Sequence, residues 1–96
     1  MIQKNQPLVS IIIVNYNAGQ FLLDCVESVF LSNYSNFEVI VVDNVSTDNS
    51  HKQCKEKFKQ IHLIENKKNL GYCEGNNIGI RYAKGDYIVI NNKRGK

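Results

Sequence analysis

Proline is almost missing from this chain, with one in 96 residues. No tract of low complexity stands in its place, so a disordered or fibrous chain is excluded. Hydrophobic residues at 43% and charged residues at 22% are the balance of a globular domain, and the length suits one compact unit rather than two. Cysteine is also scarce. Cys25, Cys54 and Cys73 form an odd set with neither Cys-x-x-Cys spacing nor a companion histidine cluster. A disulfide framework and a zinc site are thereby excluded, and free thiols in a reducing cytosol fit. The apolar run from Val9 to Val14 is far too short to span a membrane, and no signal-peptide pattern precedes it. The chain is therefore expected in the cytoplasm, with no membrane span.

Charge of one sign is not in large excess either: the net charge is +3. The lysines gather at 52–59 and 93–96, and such runs read as solvated surface. Without a basic stripe interleaved with exposed aromatics, nucleic acid is not an expected partner. Two glycine signatures are missing as well. Neither a Gly-x-x-x-x-Gly-Lys-Ser/Thr phosphate loop nor a Gly-x-Gly-x-x-Gly fingerprint follows the first apolar run.

What is present alternates between strand and helix patterns. Val9-Ser-Ile-Ile-Ile-Val14 is a β-branched run of the kind buried on both faces of a parallel sheet. Asn17 and Gln20 have the spacing of a capping box, so a helix is expected at once, with Leu22, Cys25, Val26, Val29 and Phe30 on its inner stripe. Asp24, Glu27 and Ser28 point outward. Residues 32–36 end this helix, and Phe37-Glu-Val-Ile-Val-Val-Asp43 is a second strand. The polar turn 44–48 leads into a helix over 48–60, with Cys54, Phe58 and Ile61 inward. Residues 61–64 form a third strand. A turn over 66–71 precedes a segment that ends at Lys84-Gly85, a pair suited to a helix stop with Gly85 in the left-handed cap position. Tyr87-Ile-Val-Ile90 is a fourth strand. Strands and helices alternating in this way predict right-handed βαβ crossovers and an α/β, Rossmann-like parallel sheet with flanking helices.

Ligands of open parallel sheets bind beyond the carboxyl ends of the strands, where loops gather and helix amino ends present unpaired N–H groups. Three polar clusters fall there: Asn15-Tyr16-Asn17, Asp43-Asn44, and residues 69–77 around Gly71 and Gly75. An aromatic ring can stack on a base, a carboxylate can accept base or ribose hydrogens, and glycine lets backbone approach closely. A nucleotide suits that inventory. Each residue also has a plainer reading: Tyr16 as a cover for the first helix, Asp43 as a loop cap, and the glycines as turn and helix-packing residues.

Taken together, Val9-Ser-Ile-Ile-Ile-Val-Asn-Tyr-Asn17, Phe37-Glu-Val-Ile-Val-Val-Asp-Asn-Val-Ser-Thr-Asp48, Asn69-Leu-Gly-Tyr-Cys-Glu-Gly-Asn-Asn-Ile-Gly79 and Ala83-Lys-Gly-Asp-Tyr-Ile88 resemble successive motifs of family 2 glycosyltransferases. The closest likeness is to bacterial polysaccharide-building and rhamnosyltransferase-like members. The resemblance implies the amino-terminal half of a GT-A fold, binding a nucleoside diphosphate sugar, UDP- or dTDP-linked. By motif position Tyr16 resembles the aromatic that lies against the base, flanked by Asn15 and Asn17. Asp43, followed by Asn44, resembles the acid that hydrogen-bonds the base. Gly71 belongs to the third motif, and Asn76 and Asn77 fall near the diphosphate, with Asn76 replacing an arginine common in relatives.

The family uses a divalent metal, Mn or Mg, held by an acid soon after the fourth strand. Here the sequence continues Asn91-Asn-Lys-Arg-Gly-Lys96, with Arg94 about where that acid belongs, and cations there repel a hard metal. The expectation is a single truncated donor-binding domain over residues 1–96 that binds no metal itself, performs no transfer alone, and self-associates through an exposed sheet edge. Two other classes share parts of this pattern: a nucleotide-binding or protein-interaction module on a flavodoxin-like sheet, and a nucleotidyltransferase. The 71–79 segment argues against the first, and the missing glycine-rich loop after strand one against the second.

Overall fold

The computed structural model describes residues 6–91. Four parallel strands lie in the order β3-β2-β1-β4, where β1 is Val9–Asn15, β2 Phe37–Asp43, β3 His62–Glu65 and β4 Tyr87–Ile90. The expected α/β, Rossmann-like parallel sheet is therefore what forms. The connecting helices are α1 (Gln20–Phe30), α2 (Ser50–Lys57) and α3 (Gly71–Tyr82).

The β-branched runs of β1 and β2 occupy the centre of the sheet, where an apolar layer covers each face. On one side Ile13, Val39 and Val41 meet Leu22 and Val26 of α1, Cys54 of α2 and Ile61. Phe30 closes this layer, with its ring 5.3 Å from Phe37 and stacked 5.4 Å from Phe58. Burial pushes the Cys54 thiol up to about 11, which keeps it protonated and inert. On the other side Ile12, Ile40 and Val42 meet Ile78 and Ala83. Here α3 approaches β1 through two glycines. A Cβ on Gly75 would lie 2.9 Å from Val14 Cγ1, and one on Gly79 would lie 2.5 Å from Ile12 Cγ2. The packing reading of these glycines is the one the structure supports.

Several local expectations are corrected. The capping box does not form: α1 starts after Gly19 with no side-chain cap, while Asn17 bonds a different loop and Gln20 Nε2 donates to Asp24 Oδ1 at 2.9 Å. The second helix covers 50–57 rather than 48–60, because Asp48 and Asn49 are used in the turn before it and the left-handed Asn49 sets its start. Strand three runs one residue later than expected, leaving Ile61 buried ahead of it. Gly85 is not a left-handed cap. Its smallness serves a close approach instead, since a Cβ would meet Ser10 Oγ at 2.5 Å and Leu8 O at 2.9 Å.

That approach belongs to a cluster at the amino ends of the strands. Ser10 Oγ donates to Glu38 Oε2 at 2.6 Å and accepts from Gly85 N at 2.8 Å, while Lys84 N donates to the same carboxylate at 2.7 Å. Burial alone would raise the Glu38 carboxyl. The Lys84 N–H, the Ser10 hydroxyl and the nearby His62 and Lys84 charges outweigh it and hold the pKa below the ordinary 4.5. A carboxyl depressed on folding stabilises the fold fully above its unfolded pKa and loses that contribution as pH falls through the folded value. Glu38→Gln is thus expected to destabilise the chain at neutral pH, by about 1–3 kcal/mol as for hydrogen bonds to a charged group. Urea melts at neutral and acid pH check this. The gap between variant and wild type should narrow below pH ~4.5, and a gap that widened in acid would contradict the assignment.

Candidate functional site

The register of the sheet brings three polar side chains into one row. Asn15 at the end of β1 stands opposite Asp43 at the end of β2, and Asp43 stands opposite Glu65 at the end of β3. Parallel neighbours in register point to the same face, so this row meets the amino end of α2. Asn15 and Asp43 are each only 1% exposed. Burial of this kind is tolerated only when every polar atom is engaged. Asn15 Nδ2 lies 2.8 Å from Asp43 Oδ1, 3.1 Å from Ser46 Oγ and 3.0 Å from Ser50 Oγ, while its Oδ1 accepts from Ala18 N at 3.3 Å. Asp43 Oδ1 also accepts from Ser46 Oγ at 2.7 Å, and Oδ2 accepts from Ser46 N at 2.9 Å.

These bonds stitch the loop after β1 to the loop after β2. Asn17 Oδ1 accepts from Thr47 N at 2.7 Å and Asp48 N at 3.2 Å, and Asn17 N donates to Ser46 Oγ at 2.9 Å. Asp48 accepts from Ser50 N and Oγ through Oδ1, and from Gly19 N through Oδ2 at 3.0 Å. Burial would raise the Asp48 carboxyl, but the Ser50 hydroxyl and the Ser50 and Gly19 N–H groups hold its pKa below the ordinary carboxylate value. The turn is strained at one point: Val45 has φ 63°, a region that costs a β-branched residue about 1–2 kcal/mol. The Asp43–Ser46 bonds on either side of it hold the turn.

Asn44 joins a third loop. Its Nδ2 donates to Gly71 O at 3.0 Å, and its Oδ1 accepts from Asn66 Nδ2 at 2.7 Å. Gly71 opens α3 at φ 86°, with its N–H donated to Asn69 Oδ1 at 2.9 Å. Between the three loops lies a cleft of about 450 Å³. Tyr16, Asn17, Asn44 and Gly71 line it, together with Phe21, Asn69 and Tyr72. Tyr16 is 56% exposed and shares the cleft wall with Phe21 of α1.

Half of the expected site residues thus share the cleft wall. Asn15 and Asp43 are buried and do not line it; they bond toward the loop after β2 and the start of α2. Asn76 is 8% exposed within α3 with its Oδ1 lacking a hydrogen-bond partner, and Asn77 is exposed; neither lines the cleft. Sequence reasoning missed Ser46, Asp48 and Ser50 as the partners that organise Asp43. The Asp-x-x-Ser spacing of 43–46 carries that signal, because a side-chain carboxylate readily takes a backbone N–H of the turn that follows. A larger hollow of about 540 Å³ follows the β3 edge, lined by Glu38, His62, Tyr82 and Lys84 among others. It lies away from the loops after β1 and β2, and its size reflects sheet surface that α3 leaves uncovered.

Among the described residues no group of three or more His, Cys, Asp or Glu is placed to hold an ion. At the end of β4 stands Asn91, neutral, whose Nδ2 donates to Cys25 Sγ at 3.1 Å. Arg94 and the rest of 92–96 lie outside the described residues. No helix among the described residues is long and apolar enough to cross a membrane.

Strands, helices and loops together form an open parallel α/β sheet with a cleft at the carboxyl ends of its strands, and comparison with known proteins gives its family. The family model for glycosyl transferase family 2 matches residues 10–92, so the chain belongs to the family 2 glycosyltransferases, as part of their amino-terminal portion. It is 37% identical over 86 residues to the glycosyltransferase GlyG of Streptococcus pneumoniae, covering 86% of this chain and 29% of that protein. It is also 37% identical over 91 residues to WcaA of Escherichia coli K12, named for colanic acid biosynthesis, covering 90% of this chain and 32% of that one. The chain therefore spans about a third or less of the relatives it matches. A mannosyltransferase of Pyrobaculum calidifontis, solved in complex with GDP-Man and Mn2+, shares the fold with a TM-score of 0.76 at 24% identity, over 86% of this chain and 26% of its own.

If the Asn15–Asp43 contact is what holds the loops together, Asn15→Ala should unfold more readily. It leaves a buried carboxylate and two serine hydroxyls short of a donor, and a loss of about 2–4 kcal/mol is expected. Chemical denaturation checks this, and a loss under about 0.5 kcal/mol, the size of an ordinary surface substitution, would contradict it.

Proposed function

We propose that the chain is the donor-binding domain of a glycan- or polysaccharide-building transferase, and that it binds the nucleoside diphosphate part of a UDP- or dTDP-linked sugar in the 450 Å³ cleft. The observation that carries this reading is the half-exposed Tyr16 ring in a cleft that Asn17, Asn44 and Gly71 line with it at the carboxyl ends of the central strands. A base stacks on the ring, and its polar edge turns toward the carboxyl end of β2, where Asn44, next to the buried Asp43, lines the cleft. The amino end of α3 opens on the same cleft at Gly71 and Tyr72, where helix N–H groups and dipole favour the diphosphate. Asn17 and Asn44 hold the walls, and Asn76 and Asn77 follow in α3 on the phosphate side. The P. calidifontis mannosyltransferase, with GDP-Man and Mn2+, supports nucleotide-sugar and divalent-metal use in this fold.

In the proposed scheme the 96 residues act in the cytoplasm and bind donor without transferring the sugar by themselves. Support comes from the neutral Asn91 that follows β4 and from the described residues, among which no group of three or more His, Cys, Asp or Glu is placed to hold an ion. No catalytic residue is assigned within it. When a metal is present in the family's site it supplies charge neutralisation on the leaving diphosphate; this chain's own residues bind and orient the nucleotide. The bare β4 strand, with Tyr87, Ile88, Val89 and Ile90 all exposed, favours self-association through that edge.

Titration of the purified chain with UDP, dTDP and GDP, with and without manganese, tests the reading by calorimetry and thermal shift, with light scattering to follow association. One uridine or thymidine nucleotide is expected to bind and raise Tm. Tyr16→Ala should weaken binding about tenfold or more, the worth of base–aromatic stacking, while leaving the Tm of the free chain nearly unchanged. Absence of any response to all three nucleotides would overturn the donor-site reading, and an unaltered affinity in Tyr16→Ala would remove Tyr16 from it.

A further inference from the structure

Positive charge is unevenly placed along this chain. Residues 51–68 carry six lysines against two glutamates, whereas the other described residues carry two cations, Arg81 and Lys84, against seven acids. The fold gathers the lysine-rich segment on one side. β3 is an outermost strand of the sheet, and α2 runs along it in the opposite direction: Ser50 at the helix start bonds Asn15 at the carboxyl end of β1, while Lys55 Nζ donates to Ile61 O, just ahead of β3, at 2.7 Å. Lys52 and the Lys67–Lys68 pair therefore stand toward the carboxyl end of β3, and Lys57 and Lys59 toward its amino end. The strand between them has only four residues, about 13 Å by strand rise.

These charges are not cancelled where they stand. Among the described residues the ion pairs are those of His51, His62 and Arg81, and none of the six lysines lies within such reach of a carboxylate. Lys55 and Lys59 donate to backbone carbonyls, and Lys57 Nζ lies 5.4 Å from the centre of the Phe58 ring, contacts that bring no opposite charge. Lys52, Lys57, Lys59, Lys67 and Lys68 are exposed. Of the two acids in the segment, Glu65 faces His51 and Glu56 is exposed on α2.

We propose that this lysine edge along β3 and α2 is a docking surface for an anionic lipid bilayer. A continuous plane of headgroup phosphates meets cations spread over a helix and two loops without requiring a register. Each lysine near such a surface is worth about fivefold in partitioning. Nucleic acid fits less well. Single strands need exposed rings between the cations, and Phe58, the one Phe, Tyr or Trp of the segment, is half-buried with its ring stacked on Phe30. The acidic remainder turns the lysine edge, rather than another side, toward a negative surface. None of the six lysines lines the 450 Å³ cleft, so docking through this edge leaves the cleft free and is independent of what binds there.

Co-sedimentation of the chain with vesicles of equal parts phosphatidylglycerol and phosphatidylcholine tests the proposal, with phosphatidylcholine alone as the neutral surface. Binding is expected to the mixed vesicles only, with release as salt rises to about 0.5 M. Lys52, Lys67 and Lys68 form no hydrogen bond or ion pair among the described residues, so their replacement together by Gln should leave Tm nearly unchanged. The triple variant should partition about a hundredfold less, fivefold for each charge. Lys68→Gln and Arg81→Gln change the net charge equally. The first should cost about fivefold and the second no more than about twofold, because Arg81 lies outside the edge and is paired with Glu74. Failure to bind the mixed vesicles would overturn the proposal and leave the lysines as guards that keep an open strand edge from pairing. Wild-type binding by the triple variant, or equal losses from Lys68→Gln and Arg81→Gln, would overturn it too. So would a DNA duplex that displaces the chain from vesicles at matched phosphate concentration.

Discussion

The hydrogen bond from Asn15 to Asp43 is the contact on which the rest of the site depends. It joins the last residues of the two central strands, both buried, at the point where the chain leaves the sheet. A carboxylate in such a place is unfavourable unless donors surround it. Once Asn15, the Ser46 backbone and the Ser46 hydroxyl do so, the turn after β2 has one arrangement, and the strained Val45 is carried within it. Asn17 and Asn44 then inherit their positions: one binds Thr47 and Asp48, the other reaches Gly71. The cleft wall is the consequence of that buried polar contact.

The parallel sheet was legible because its signal is dense. Residues 9–14 and 37–42 are runs of Val, Ile and Phe interrupted only by Ser10 and Glu38, and such runs bury on both faces in few architectures. Those two interruptions carried a meaning that periodicity does not show: Ser10 and Glu38 bind each other and the turn before β4. Helix starts were less legible. Asn17 satisfied the pattern of a cap, yet the loop after β2 offered it two backbone donors, and tertiary contact won over local geometry. Gly85 shows the same limit, since its small size answers to Ser10, distant in sequence.

For the candidate site, the sequence placed polar residues at the right strand ends but not in depth. Tyr16, Asn17, Asn44 and Gly71 face the cleft, while Asn15 and Asp43 are buried and do not line it, and Asn77 lies on exposed helix surface. Whether a side chain supports a wall or forms it depends on the twist of the loops, which motif spacing does not encode.

The central claim is that the cleft at the carboxyl ends of β1 and β2, between loops that the Asn15–Asp43 bond ties together, is where a nucleotide binds. Backbone amide shifts of the ¹⁵N-labelled chain, followed as UDP, dTDP or GDP is added, locate the contact directly. The account predicts that the changes gather at residues 15–17, 43–46 and 69–72 and leave Glu38, His62, Tyr82 and Lys84 at the larger hollow unmoved. Changes centred on that hollow, with residues 15–17 and 43–46 silent, would contradict it.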